Sequence, residues 1–156
     1  GQSAGWKVIP VPDERWQRCY IKSIALLPNV LAKHQAISAG ADEAVFIDHG
    51  YATEGCATNF WAVIDGTVVT APNGPKILPG ITRDVLLKIA PAAGVKIVER
   101  PIAEKEITTA SELFLTSSTK EIMWISHWAG REIAMSIGPV SRKLHEAYRE
   151  YLRKTL

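Results

Sequence analysis

Residues 58–70 constrain the fold more than any other stretch. Thr58–Ile64 (TNFWAVI) and Thr67–Thr70 (TVVT) are rich in β-branched and aromatic residues, and only Asp65-Gly66 separates them. An Asp-Gly link between two such runs is a strong signal for a tight β-hairpin, because both turn positions need positive φ. A second pair precedes it: Glu43–Asp48 (EAVFID) and Tyr51–Glu54, joined by His49-Gly50. Neighbouring antiparallel pairs in mid-chain break any strict βαβ alternation. They favour a mixed sheet with helices packed on it over a doubly wound parallel fold.

The other elements fit around this centre. Trp6–Pro12 is β-prone, but its two prolines predict an edge or irregular strand. Arg15–Lys22 alternates loosely and is expected to be a second strand. Leu26–Ser38 reads as a helix, with Pro28 tolerable in a first turn and Gly40 ending it. Ala71–Gly80 (APNGPKILPG) is a Pro/Gly-rich loop. Thr82–Ala93 is predicted helical, with Thr82 as N-cap, Asp84 suiting the dipole and Pro91 as terminator. Val95–Arg100 reads as a strand, Ile102–Glu112 as a short helix or turn, and Leu113–Thr119 as a strand entering a hydroxyl-rich loop. Glu121–Trp128 is another strand, and Ser141–Leu152 an amphipathic terminal helix with Leu144, Tyr148 and Leu152 on one face. The expected class is mixed α/β (α+β), as a single domain over residues 1–156.

Composition narrows the partners. The chain has 156 residues, 47% of them hydrophobic and 22% charged, enough for one sizeable core. Net charge is +2 and no basic block interleaves with aromatics, which argues against nucleic acid as the main partner. No apolar run approaches a membrane span. Cys19 and Cys56 lack ligand spacing and read as reduced thiols in a cytoplasmic protein. His34, His49, His127 and His145 are scattered and form no ligand set. The chain lacks an initiator Met, and Gly1–Gly5 reads in part as a cleavage scar, so a start inside a longer natural protein is expected.

Several segments offer chemistry. Ile77–Asp84 (ILPGITRD) places a glycine before a helix start, where unpartnered N–H groups and the Thr82 hydroxyl suit a phosphate or a plain N-cap. Thr116–Thr119 presents four consecutive hydroxyl residues, donors for an anion or a polar surface turn. Glu54, beside Gly55 and ahead of Phe60-Trp61, is either an exposed turn residue or the partner of a buried cation. Lys22, read alone, is a solvated surface charge.

Taken in order, these runs resemble the class IV (fold-type IV) pyridoxal-phosphate aminotransferases, nearest to D-amino-acid aminotransferase and then to branched-chain aminotransferase. The resemblance rests on Ile21-Lys22-Ser23, Leu27–Ala32, Gly40–Ala44, Thr53–Gly55 with Asn59, Ile77–Arg83, Leu113–Ser118 and Gly138–Val140, and so covers nearly the whole chain. It implies the C-terminal, cofactor-binding domain of the D-amino-acid aminotransferase-like fold, a mixed sheet or pseudo-barrel with surrounding helices. By the same resemblance, Lys22 forms the Schiff base with pyridoxal 5′-phosphate and then moves the proton between substrate and cofactor. Glu54 faces the pyridine nitrogen and Leu78 lies beneath the ring. Ile81 and Thr82 form one phosphate-holding turn, and Ser117 and Ser118 belong to the second phosphate loop. Substrates would be an amino acid, of the D or branched-chain kind, and an α-keto acid. The resemblance further implies a homodimer and an N-terminal domain that is missing from this chain. Rival readings are an aminodeoxychorismate lyase using the same lysine, and a non-catalytic fragment. Cys56-Ala57-Thr58 stands where serines are common, and Met123-Trp124-Ile125 replaces Thr-Pro-Val, departures expected to alter hydroxyl contacts and the substrate pocket.

Overall fold

The structure is a computed structural model that describes residues 4–21 and 26–156. Its strands are β1 (Trp6–Pro12), β2 (Glu43–Asp48), β3 (Tyr51–Gly55), β4 (Asn59–Ile64), β5 (Thr67–Thr70), β6 (Ile97–Glu99), β7 (Ile102–Ala103), β8 (Glu112–Ser117), β9 (Glu121–Trp128) and β10 (Arg131–Glu132). Its helices are α1 (Leu27–Ser38), α2 (Ile81–Ile89), α3 (Glu104–Ile107) and α4 (Pro139–Thr155).

Both predicted hairpins form. His49 and Gly50 have φ of 51° and 86°, and Asp65 and Gly66 have 51° and 79°, the positive values the two-residue turns demand. Strands β4, β8, β9, β1, β2 and β3 then pair in that order, and the β3–β4 pairing at Glu54 and Asn59 closes the ring into a barrel. Pairings β1–β2, β1–β9 and β5–β6 are parallel and the remainder antiparallel, so the sheet is mixed.

Period-2 alternation assigns each strand residue to a side. Along β4, Phe60 and Ala62 face the barrel interior with Val8, Val45, Leu113, Leu115, Met123 and Ile125. Trp61 and Val63 face outward and pack with Phe114 and Ile122 against Leu86 of α2 and Leu144 and Tyr148 of α4. A third cluster, Val11, Ala44, Phe46 and Cys56 with Ala32 and Ala36, seats α1 on β1 and β2. Burial of Phe60, 1% exposed, contributes about 2–3 kcal/mol of transfer free energy.

Four expectations need correction. β1 lies inside the ring, not at an edge, although it is the irregular strand of the alternative expectation, with a register shift against β9 between Trp6 and Lys7. Its prolines are tolerated because β9 pairs only with Trp6–Val8, leaving Pro10 and Pro12 with one neighbouring strand, β2. Arg15–Ile21 is not a strand but an irregular segment with a turn from Ile21 N–H to the Arg18 carbonyl, because Arg15 folds inward onto acidic partners while Trp16, Arg18 and Tyr20 stay exposed. Thr82 is not the N-cap: the helix begins at Ile81 with Gly80 as cap and no side-chain cap bond. The Ile102–Glu112 segment holds the expected short helix as the four-residue α3, but it opens with strand β7 and Glu112 itself belongs to β8. Pro91 does end α2, starting one turn of 3-10 helix over Pro91–Ala93.

Candidate active site

A cavity of about 560 Å³ opens at the barrel end where β3, β4, β8 and the loop before α2 converge. Glu54, Asn59, Leu78, Ile81, Ser117 and Ser118 all line it. Ile21 and Leu26 line it as well, so both flanks of the segment carrying Lys22 reach the cavity. Lys22 itself lies outside the described residues.

One end is built on charge. Arg15 donates from Nη1 to Glu54 Oε1 at 2.7 Å and from Nε and Nη2 to the two carboxylate oxygens of Asp13, each at 2.9 Å. The Leu78 N–H reaches both Glu54 oxygens at 3.1–3.2 Å, and Asn59 Nδ2 donates to Oε2 at 3.1 Å and to the Leu78 carbonyl at 3.0 Å. Gly80 must approach Asn59 closely: a Cβ there would overlap Asn59 Oδ1. Burial pushes the Glu54 carboxyl up to about 7, against the pull of the Arg15 charge and the Leu78 N–H. Burial opposes the Arg15 charge too, but its bonds to Asp13 and Glu54 overcome this and raise its pKa. Asp13 is lowered despite burial, because Arg15 binds and neutralises it.

The turn following Glu54 is braced from behind. Glu43, fully buried, accepts the Ala57 N–H at 3.1 Å and the Thr58 hydroxyl at 3.0 Å, and Asn29 Nδ2 donates to the Cys56 carbonyl at 2.7 Å. Gly55 is required here because a Cβ would overlap the Thr58 hydroxyl. Burial pushes the Cys56 thiol up to about 12, which makes it a packing residue rather than a nucleophile.

The other end is built on dipoles. Asp84 N–H is bonded to the Gly80 carbonyl at 3.1 Å, so the Ile81, Thr82 and Arg83 N–H groups lie ahead of it at the start of α2. Such groups, with the helix dipole behind them, suit an anion. Ile81 is 73% exposed and Ser118 is exposed, whereas Thr82 is buried. The Thr82 hydroxyl donates to the Ser117 carbonyl at 3.1 Å and lies 3.4 Å from the Tyr148 hydroxyl of α4. It ties the helix start to the β8–β9 turn, where Ser117 Oγ accepts the Lys120 N–H at 3.0 Å.

The cavity therefore gathers Glu54, Leu78, Ile81, Ser117 and Ser118 along its wall, with Thr82 bracing from behind. Sequence reasoning missed Asp13, Arg15, Asn59, Lys76 and Tyr148 as site-building residues. Asn59 stood inside a matched run without a role, and Arg15 was read as one residue of a strand. Met123 and Ile125 pack inside the barrel and Trp124 is buried beside Gly5, none of them lining this cavity, so the departure at 123–125 does not reshape it directly.

The family model described as amino-transferase class IV matches residues 6–128. The chain belongs to the amino-transferase class IV family. This class IV chain is 37% identical to a D-alanine aminotransferase of Listeria monocytogenes over 94% of its own length and 51% of the relative's. It is 35% identical to the D-alanine aminotransferase of Bacillus licheniformis, over 94% and 52%. Among solved structures, the branched-chain aminotransferase from Thermoproteus uzoniensis with norvaline superposes with a TM-score of 0.85 at 29% identity, covering 96% of this chain and 52% of that one. A T.th. branched-chain amino acid aminotransferase with pyridoxamine 5′-phosphate gives 0.89 at 29%, over 100% and 54%. The class IV fold expected from the sequence is therefore the fold of this chain. The chain spans about half the length of the curated relatives it matches. No helix among the described residues is long and apolar enough to cross a membrane.

Proposed function

We propose that this chain is the cofactor-binding part of a pyridoxal 5′-phosphate aminotransferase that moves an amino group from an amino acid, of the D or branched-chain kind, to an α-keto acid. The observation that carries this is the pairing, across one cavity, of the buried Glu54 carboxylate with the N-terminus of α2 and its hydroxyl loop. That donor set fits a flat heterocycle with a basic ring nitrogen at one end and a phosphate at the other. When bound, pyridoxal phosphate supplies an aldehyde for amine exchange and a protonated ring that draws electrons from the substrate. In its carboxylate form, held by Arg15, Glu54 would keep a proton on the ring nitrogen. Leu78, half-buried on the cavity wall, offers an apolar face to the ring. The N–H groups of Ile81 and Thr82 and the Ser117–Ser118 turn hold the phosphate. Lys22 would supply the amine that carries the cofactor and, once released from it, would move the proton between substrate and cofactor.

Partners follow from the surface. Leu27, Val30, Leu31 and Ile37 of α1 are 59–68% exposed, an apolar stripe next to the cavity. We assign it to contact with further polypeptide in the whole enzyme, a homodimer with an N-terminal domain. Cys19 and Cys56 are both free thiols, which supports a cytoplasmic setting.

The test is a borohydride trap. The chain is incubated with pyridoxal phosphate, reduced and mapped by mass spectrometry. Label on Lys22 is expected, together with amino transfer from D-alanine or a branched-chain amino acid to 2-oxoglutarate by the whole enzyme. Label on a different lysine would overturn the site. Pyruvate release from aminodeoxychorismate without amino transfer would overturn the reaction.

A further inference from the structure

Lys76 lies in the loop between β5 and α2, two residues before Leu78, and is only 7% exposed. Lysine is seldom buried without a partner of opposite charge. Its ammonium donates to the Arg15 carbonyl at 2.5 Å and stands 3.5 Å from Asp13 Oδ1. In return the Lys76 carbonyl accepts an Arg15 Nη2 hydrogen at 2.8 Å. The Asp13 side chain is wholly shielded, and those of Arg15, Glu54 and Lys76 are 4%, 7% and 8% exposed.

The charges balance: Asp13 and Glu54 against Arg15 and Lys76. Without Lys76, a single guanidinium would face two buried carboxylates. Asp13 already takes two of its nitrogens, Nε and Nη2, as well as the Arg15 backbone N–H, and Glu54 receives only Nη1. We propose that Lys76 is a positioning residue for Glu54: its ammonium offsets Asp13, so that the charge of Arg15 remains available to hold Glu54 as a carboxylate on the cavity wall. Among the described residues, the other titratable groups around Glu54 are Cys19 and Tyr20 on the Arg15 segment, Cys56 on the turn after β3, Arg83 on α2 and, behind that turn, Glu43 of β2, which is paired with Lys33 of α1 at 3.3 Å. Both thiols are raised by burial and neutral, and Arg83 is committed to Glu99 at 2.8 Å. Lys76 is thus the cation that answers Asp13. Its functional meaning rests on Glu54 being the partner of the ring nitrogen, but the charge balance does not.

The experiment is a carboxyl titration by 13C NMR on the cofactor-free chain labelled at glutamate Cδ, with the Glu54 signal assigned by its loss in Glu54→Gln. Lys76→Met should raise the Glu54 midpoint by about 1 pH unit, the low end of what a neighbouring charge does. Lys76→Gln, which keeps a donor for the Arg15 carbonyl, should raise it as far. Lys76→Arg should leave it near the native value. The double variant Asp13→Asn with Lys76→Met removes one charge of each sign and should bring the midpoint back. A midpoint unmoved in both Met and Gln variants would overturn the proposal. So would a double variant displaced beyond Lys76→Met, since a packing defect accumulates where a charge defect cancels. The titration needs no cofactor. Failure of the borohydride trap with the Lys76 shift intact removes the cofactor reading alone, and the reverse result removes only the role of Lys76.

Discussion

At the Glu54 end of the cavity four ionisable side chains meet in a buried network, whereas at the Thr82–Ser117 end the contacts join neutral hydroxyls and backbone groups. Under the proposed function the two ends would answer different demands. A ring nitrogen needs a charge whose protonation is controlled, and low dielectric makes that control strong and its loss destabilising. A phosphate carries its own charge and needs only oriented donors, which a helix start supplies from backbone alone. One cavity thus combines an end that depends on desolvated charge with an end that does not, and perturbing each should give different symptoms.

The largest effect should come from Arg15→Met. It leaves Asp13 and Glu54 without their guanidinium, and urea unfolding should show a loss of about 3–5 kcal/mol, as expected when a buried pair is broken from one side. A loss below about 1 kcal/mol would mean that the two ends do not differ in kind.

Glu54→Gln should come next. With its midpoint raised from 4.5 to about 7, Glu54 contributes stability that is present below pH 4.5 and lost as pH rises through 7. Native stability should therefore fall relative to Glu54→Gln between about pH 4.5 and 7. Affinity for pyridoxal phosphate should show the converse. At about pH 8 the native chain should bind about tenfold more tightly than Glu54→Gln, a difference of about 1.4 kcal/mol, and the gap should close towards about pH 6 as the carboxylate takes up a proton. A ratio that ignores pH would place Glu54 away from the ring nitrogen.

At the neutral end, Thr82→Val should weaken pyridoxal phosphate by about fivefold, roughly one hydrogen bond, while leaving pyridoxal, which lacks the phosphate, unchanged. Equal losses for both ligands would show a collapsed cavity instead of a loosened anion site. The smallest effect belongs to Tyr148→Phe. Its hydroxyl sits 3.4 Å from Thr82, and only about a twofold loss of phosphate discrimination is expected. An effect larger than that of Thr82→Val would make α4 a direct participant in the anion site.

How much of this was legible follows from how far each interaction reaches along the chain. Asp65-Gly66 dictated its hairpin because turn geometry is set by the φ of those two residues, 51° and 79° in the fold. Alternation in Phe60–Val63 set the inward and outward faces of β4 once β4 was a strand. The Pro-Gly-Ile-Thr run marked the start of α2 to within a residue, although the cap proved to be Gly80 and the Thr82 hydroxyl turned away to Ser117. The order of motifs identified the family.

The electrostatics of the site were not legible. Arg15 lies 39 positions from Glu54 and 61 from Lys76. Nothing local distinguishes Lys76, set between Pro75 and Ile77, from a solvated loop lysine, nor Arg15 from a strand residue. Their burial arises only when the barrel closes at Glu54 and Asn59 and the loop before α2 folds over that seam. The sequence by itself determined the hairpins, the approximate places of the longer helices and the family, because turn chemistry, periodicity and motif order are written in neighbouring residues. Only the tertiary structure decided which charges lose their water, because desolvation depends on everything that packs around a group.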